Sequence, residues 1–196
     1  MGYHRAGFEV VGVDIKPQPN YPFEFHQADA LEFSVDGFDF IHASPPCQRY
    51  SVASKSHNGK ASTHPDLVLP TRDKIKKARV WVIENVIGAP LIDAIVLCGT
   101  MFPGLRVIRH RQFESNQKLI APKCKRHPLC YTRDKRKTHY GRLNEMRAFV
   151  MVNGGGNCTK VAASDAMGID WMTKAELNDA IPPAYTEFIG NQLKAI

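Results

Sequence analysis

Short apolar runs, each closed by polar residues, set the rhythm of this chain. Glu9-Val10-Val11-Gly12-Val13-Asp14 predicts a strand that ends on an acid. Phe38-Asp39-Phe40-Ile41-His42-Ala43 predicts a second strand, which runs straight into Ser44-Pro45-Pro46-Cys47-Gln48. A helical stretch over 72–79 leads into Val80-Trp81-Val82-Ile83, a third strand that closes on Glu84-Asn85. Strands apolar on both faces and separated by turns or helices predict an α/β fold with a parallel sheet covered by helices. In open sheets of that kind, ligands sit at the carboxyl ends of the strands. Asp14, the 44–48 turn and Glu84-Asn85 all fall at such ends, so the three polar signals agree with one another.

Residues 49–66 are rich in Ser, Lys, His, Asn and Gly and predict a long loop directly after Cys47, placed to act as a lid. Residues 112–160 read as irregular and basic, and end near the triple glycine Gly154-Gly155-Gly156, read as a flexible loop. The tail returns to helix. Thr173-Lys174-Ala175-Glu176 is a capping box, and Pro182-Pro183 opens a last helix expected to reach about Ala195. There is no internal repeat and no long linker, so residues 1–196 are expected to form one domain.

Composition adds bounds. The chain has 196 residues, 43% of them hydrophobic and 23% charged, enough to bury a real core. No apolar stretch has the length of a membrane span, and no apolar signal core follows the N-terminus. Five scattered cysteines do not make a disulfide framework. The expectation is a reduced, cytoplasmic monomer (host cytoplasm, if the chain is viral) with no membrane partner. Charge sharpens the picture further. The net charge is +7, and residues 123–142 alone hold eight Lys/Arg and one acid, Asp134. That concentration favours a polyanion such as double-stranded DNA, although a charge run can also be a merely solvated loop.

The proline-stiffened turn presents Cys47 where a thiolate can do chemistry. Free cysteines are more often small core residues, and a Glu-Asn pair alone is more often a turn. A Cys-His hydrolase using His42, His57 or His64 is a further alternative, but it leaves Glu84-Asn85 unexplained.

Pro45-Pro46-Cys47-Gln48, Glu84-Asn85-Val86 and Arg109-His110-Arg111, in that order, resemble the DNA (cytosine-5) methyltransferases, in particular their compact viral members. The likeness extends to Asp14, to Asp29 in Ala28-Asp29-Ala30, and to Ile181-Pro182-Pro183-Ala184-Tyr185 with Gly190-Asn191. It implies a Rossmann-like, S-adenosylmethionine-dependent sheet with helices on both faces. It implies transfer of a methyl group from that donor to C5 of cytosine through a covalent bond from Cys47 to C6 of a flipped base. Glu84 would contact N3 and the 4-amino group, Asn85 would fix the local backbone, Arg111 would face O2, and Arg109 would support the glutamate and the base. Partial burial would raise the pKa of Glu84. Asp14, Asp29, Pro45 and Asn191 would line the donor site, and Ser44, Gln48, Arg49 and Ser51 the substrate side.

Two departures stand out. The family's first strand and its Gly-rich donor loop would precede Met1-Gly2-Tyr3-His4-Arg5; the expectation is that Met1 is an internal methionine of a longer protein, because the catalytic residues are intact, with a remnant that binds DNA but not the donor as the alternative. The target-recognition region is reduced to 112–160, with Tyr131 and Tyr140 available for stacking, so short or relaxed specificity is expected. Cys124, His127, Cys130 and His139 make a conceivable zinc set, but their spacing is not that of a finger, and no metal is assigned.

Overall fold

The computed structural model describes residues 1–51, 63–128, 130–131, 146–154 and 157–194. The chain packs as two compact units, one built from Val11–Val96 and His110–Ala121, the other from Met1–Val10, Leu97–Arg109 and Pro122–Ile196. No described helix is long and apolar enough to cross a membrane.

The first unit holds the strands that the apolar runs predict. β1 (Val11–Asp14) pairs in parallel with β2 (Glu24–Gln27), Asp14 lying opposite Gln27. β2 is mostly exposed, which is why its sequence carries little apolar signal. The Tyr21 ring lies so close over Gly12 that a Cβ there would meet it at 2.5 Å, so any larger residue would push the ring aside. β3 (Phe40–Ala43) pairs in parallel with β4 (Val80–Asn85), every residue of which is buried. Burial on both faces explains the continuous apolar run of β4.

One strand changes the expected topology. β6 (Arg111–Ser115) lies antiparallel to β4, with Glu84 opposite Phe113 and Asn85 opposite Gln112. Together with β5 (Ile95–Leu97) it makes a mixed sheet in the order β3-β4-β6-β5. The parallel sheet expected from the sequence is thus corrected to a mixed one. β6 begins at Arg111 and runs into the stretch read as irregular, and its Arg, Gln, Glu and Ser disguise it; only Phe113 signals a core strand.

α2 (Val68–Ile75) starts ahead of the predicted helix because Pro70 falls in its first turn, where a missing N–H costs nothing. It is fixed by Arg72, whose guanidinium donates to both oxygens of buried Glu114 at 2.7 Å and to the Pro90 carbonyl at 2.9 Å. The Glu114 bonds raise the Arg72 pKa still further. The core of this unit gathers Ile75, Trp81 and Ile83, packed with Ile41, Ala43 and Leu91.

The second unit is mainly helical. α3 (Lys160–Met167) is capped by the Thr159 hydroxyl and ends at Gly168, whose φ of 67° suits glycine. α4 (Lys174–Asp179) carries the anticipated capping box between Thr173 and Glu176. α5 (Pro183–Leu193) begins at the anticipated proline. The short strands β7 (Cys130–Tyr131) and β8 (Phe149–Val150) pair in parallel, and Val150 joins the core of Val107, Ala163, Met167 and Leu177. α1 (Gly2–Arg5) lies against α5. A Cβ on Gly190 would stand 2.9 Å from that of Ala6, so glycine sets this close approach.

Candidate functional site

The site is built where β3 and β4 end side by side. β3 leaves the sheet through Ser44 and the buried Pro45, and the chain turns so that the Tyr50 and Ser51 amides donate to the Cys47 carbonyl, each at 3.0 Å. The proline pair limits the backbone freedom of that turn. Asn85, at the end of β4 and 1% exposed, donates its side-chain amide to the Pro45 carbonyl at 2.8 Å and accepts the Val86 amide at 2.9 Å. Asn85 therefore joins the turn that presents Cys47 to the central strand. Cys47 is half-buried and is not part of a disulfide.

Next to Asn85, Glu84 is 6% exposed, and its Oε1 lies 2.9 Å from Nε of Arg111. The antiparallel pairing places the first residue of β6 at the last residues of β4, which brings Arg111 to Glu84. A carboxylate so buried needs a cationic partner, and Arg111 supplies it.

The loop after Cys47 leaves and rejoins described structure at one place. Arg49 donates to the His64 carbonyl at 2.8 Å, and the Tyr50 hydroxyl bonds to the Asp66 carboxylate. Burial and then the Asp66 bond push the Tyr50 hydroxyl up to about 12. These contacts tie the stems of the 49–66 segment together; residues 52–62, including His57, lie outside the described residues. Ser44 and Gln48 are exposed, and Ser51 is half-buried. Ser44 Oγ is 3.1 Å from Nε2 of His42, whose ring packs near Phe113 and whose pKa burial lowers to about 4. A histidine held neutral in this way is a poor partner for a hydrolytic triad that must store a proton.

The two acids proposed for the donor stand at the ends of the paired strands β1 and β2. Asp14 accepts the Lys16 backbone amide at 2.8 Å and the Gln18 side-chain amide at 3.2 Å, while exposed Asp29 accepts the Leu31 backbone amide at 2.9 Å. Both thus organise their own turns, and each carboxylate has lone pairs beyond those bonds.

The remaining expected residues belong to the second unit. Arg109 is 5% exposed and donates to the carbonyls of Val152 at 2.5 Å and Asn178 at 2.6 Å. The Tyr185 hydroxyl donates to the Arg109 carbonyl at 2.7 Å, which ties α5 to Arg109. Asn191 is exposed on α5. Of the conceivable zinc set, Cys124 and His127 come together, Cys130 stands beside Cys158 instead, and His139 lies outside the described residues. Burial pushes the Cys130 thiol up to about 11. Spacing along the chain carries no sign of Cys98, which joins Cys124 and His127 only in three dimensions. Of the basic segment, Lys123, Lys125 and Arg126 are described and exposed, while Arg133, Lys135, Arg136, Lys137, Tyr140 and Arg142 are outside the described residues, as are Gly155 and Gly156.

Comparison with known proteins places the fold. No family model and no curated protein matches the chain. Among solved structures, the chain is similar to a candidate DNA modification methyltransferase encoded within a prophage of E. coli, with 14% sequence identity, a TM-score of 0.62, and coverage of 99% of this chain and 94% of that one. The chain therefore shares the mixed α/β fold of that protein.

Proposed function

We propose that this protein transfers a methyl group from S-adenosylmethionine to C5 of cytosine in double-stranded DNA, with Cys47 as the nucleophile. The observation that carries the reading is the bond from Asn85 to the Pro45 carbonyl. It holds the thiol-bearing turn at the same end of the sheet as the buried Glu84–Arg111 pair. The likeness to the prophage protein supports the reading at the level of fold.

The residues present fit the donor. Two carboxylates stand at the ends of adjacent parallel strands, where ribose hydroxyls and an adenine amine can donate to them. Asp14 would hold the ribose and Asp29 the adenine amine. When bound, the donor supplies an electrophilic methyl group on a sulfonium.

Carbon 5 of cytosine is a weak nucleophile. Loss of the Cys47 proton to solvent and addition of the thiolate to C6 would make the ring enamine-like, so that C5 could take the methyl group as its bond to the donor sulfur breaks and a neutral thioether leaves. Negative charge develops toward N3 and O2 during that addition. Glu84 holds a proton at N3, and Arg111, already fixed against Glu84, stabilises the O2 side. The C5 proton then departs to a base, the C6–S bond breaks, and the thiolate of Cys47 is regenerated. The base must leave the duplex to reach this site, with Ser44, Gln48, Arg49 and Ser51 around it. Arg109 acts as a positioning residue through the carbonyls it holds. The segment 112–160 meets phosphates with its basic residues and reads a short or relaxed target.

A second reading, DNA binding without donor binding, makes the chain a binding module. Labelled methyl transfer to DNA, run beside Cys47→Ala, separates the two. Transfer to cytosine C5 that the variant loses supports the enzyme. DNA binding with no transfer and no donor uptake supports the module. Transfer unaffected by Cys47→Ala overturns the mechanism.

A further inference from the structure

We propose that Cys98, Cys124 and His127 form a zinc site that staples the start of the basic segment to the second unit. The three ligand atoms lie within 4.8 Å of one another. His127 Nε2 is 3.1 Å from the Cys124 sulfur and 3.7 Å from the Cys98 sulfur. A tetrahedral zinc with bonds of about 2.3 Å to sulfur and about 2.0–2.1 Å to nitrogen separates S from N by roughly 3.6 Å. The two observed distances bracket that value, so an ion fits with side-chain shifts of a few tenths of an ångström.

The surroundings fit a metal better than they fit three incidental side chains. Cys98 is fully buried at the N-cap of a short 3₁₀ turn, Gly99–Met101, with its amide on the Met101 sulfur at 3.4 Å. It offers a rigid first ligand. The Thr100 hydroxyl lies 3.4 Å from the Cys98 sulfur and 3.7 Å from that of Cys124, where it can donate to a coordinated thiolate. Cys124 and His127, in contrast, are exposed and sit in a run without helix or strand from Pro122 to Pro128. Apart from this cluster, a run of that composition has little apolar surface with which to hold itself. Two thiolates and an imidazole suit zinc among common ions, with a fourth ligand from solvent or another side chain. Binding releases the two thiol protons to solvent and involves no redox change.

The consequence is positional. Lys123, Lys125 and Arg126 alternate with the ligands, so an ion that fixes Cys124 and His127 also fixes where these cations point. The site itself does not depend on the proposed methyl transfer.

The test is metal content and cobalt substitution on the full chain, purified with reductant and without chelator. About one zinc per chain is expected, and cobalt in its place should show tetrahedral d–d bands and thiolate charge transfer. Cys124→Ser and His127→Ala, both exposed and so mild for folding, should weaken binding by more than about a hundredfold, beyond the loss typical of an outer-shell change. Cys98→Ser should do the same with its circular dichroism checked. Cys130→Ser and His139→Ala should retain the ion. A chain that neither carries zinc nor takes up zinc or cobalt at micromolar concentration overturns the proposal. So does metal retained in Cys124→Ser or lost in Cys130→Ser.

Discussion

Asn85 and Pro45 are 40 residues apart in sequence and are joined by one buried hydrogen bond of 2.8 Å. Through it the end of the central strand controls the turn that carries Cys47. Asn85→Ala leaves the Pro45 carbonyl and the Val86 amide without these partners, at a cost of about 1–3 kcal/mol. The expected outcome is a lower urea midpoint together with a changed rate of Cys47 alkylation under native conditions. An unchanged alkylation rate would show that the turn holds itself.

The Glu84–Arg111 pair predicts an asymmetric response. Arg111→Ala removes the cation beside a buried carboxylate and should destabilise by about 3–5 kcal/mol, whereas Glu84→Gln keeps the shape and should cost less. On the proposed role of Glu84 the order should reverse for methyl transfer, because Glu84→Gln could not exchange a proton with N3. Chemical denaturation and transfer kinetics on the same two variants read both effects.

Arg72 and Glu114 form a second buried pair, with two parallel bonds of 2.7 Å joining α2 to β6. Glu114→Ala should destabilise by about 3–5 kcal/mol, because it also takes an acceptor from the Ile92 amide. High salt should change that loss little, since a buried pair is poorly screened. A loss that vanishes at high salt would place the pair effectively in solvent.

His42 should make the fold acid-sensitive. Its folded pKa of about 4 lies below the ordinary histidine value of about 6.5, so the folded state favours the neutral ring. The associated stability is complete above about pH 6.5 and is lost as pH falls toward 4, amounting to about 1–3 kcal/mol. His42→Gln should flatten that limb of the pH–stability curve. An unchanged limb would assign the acid sensitivity to other groups.

The α1–α5 contact predicts intolerance of a single methyl. Gly190→Ala brings its Cβ to 2.9 Å from Ala6 and 3.1 Å from Tyr3, and should cost about 1–3 kcal/mol. Gly2→Ala would meet the Pro183 carbonyl at 2.1 Å, a backbone atom that cannot swing away, and should cost more. Thermal denaturation of the two variants checks the order.

What the sequence determined by itself is local. The apolar run 80–83 became a fully buried strand, because burial on both faces demands such a run. Thr173 with Glu176, and Pro183 at a first helical turn, marked α4 and α5, because capping is settled within one turn of chain. The position of Cys47 after a strand and a proline pair was legible for the same reason. Tertiary structure decided what depends on distant residues meeting. β6 is a polar-looking segment that becomes a strand only by pairing with β4, and that pairing brings Arg111 to Glu84. Glycine at position 190 reads as part of a ligand motif, yet it also lets α5 pack closely against Ala6 and Tyr3. Cys98 stands 26 residues before Cys124, in no recognisable spacing with it, and only the fold brings its sulfur to 3.7 Å from His127. Periodicity and caps are short-range properties that a sequence states directly, whereas pairing, close approach and ligand geometry are set by the packing of the whole chain.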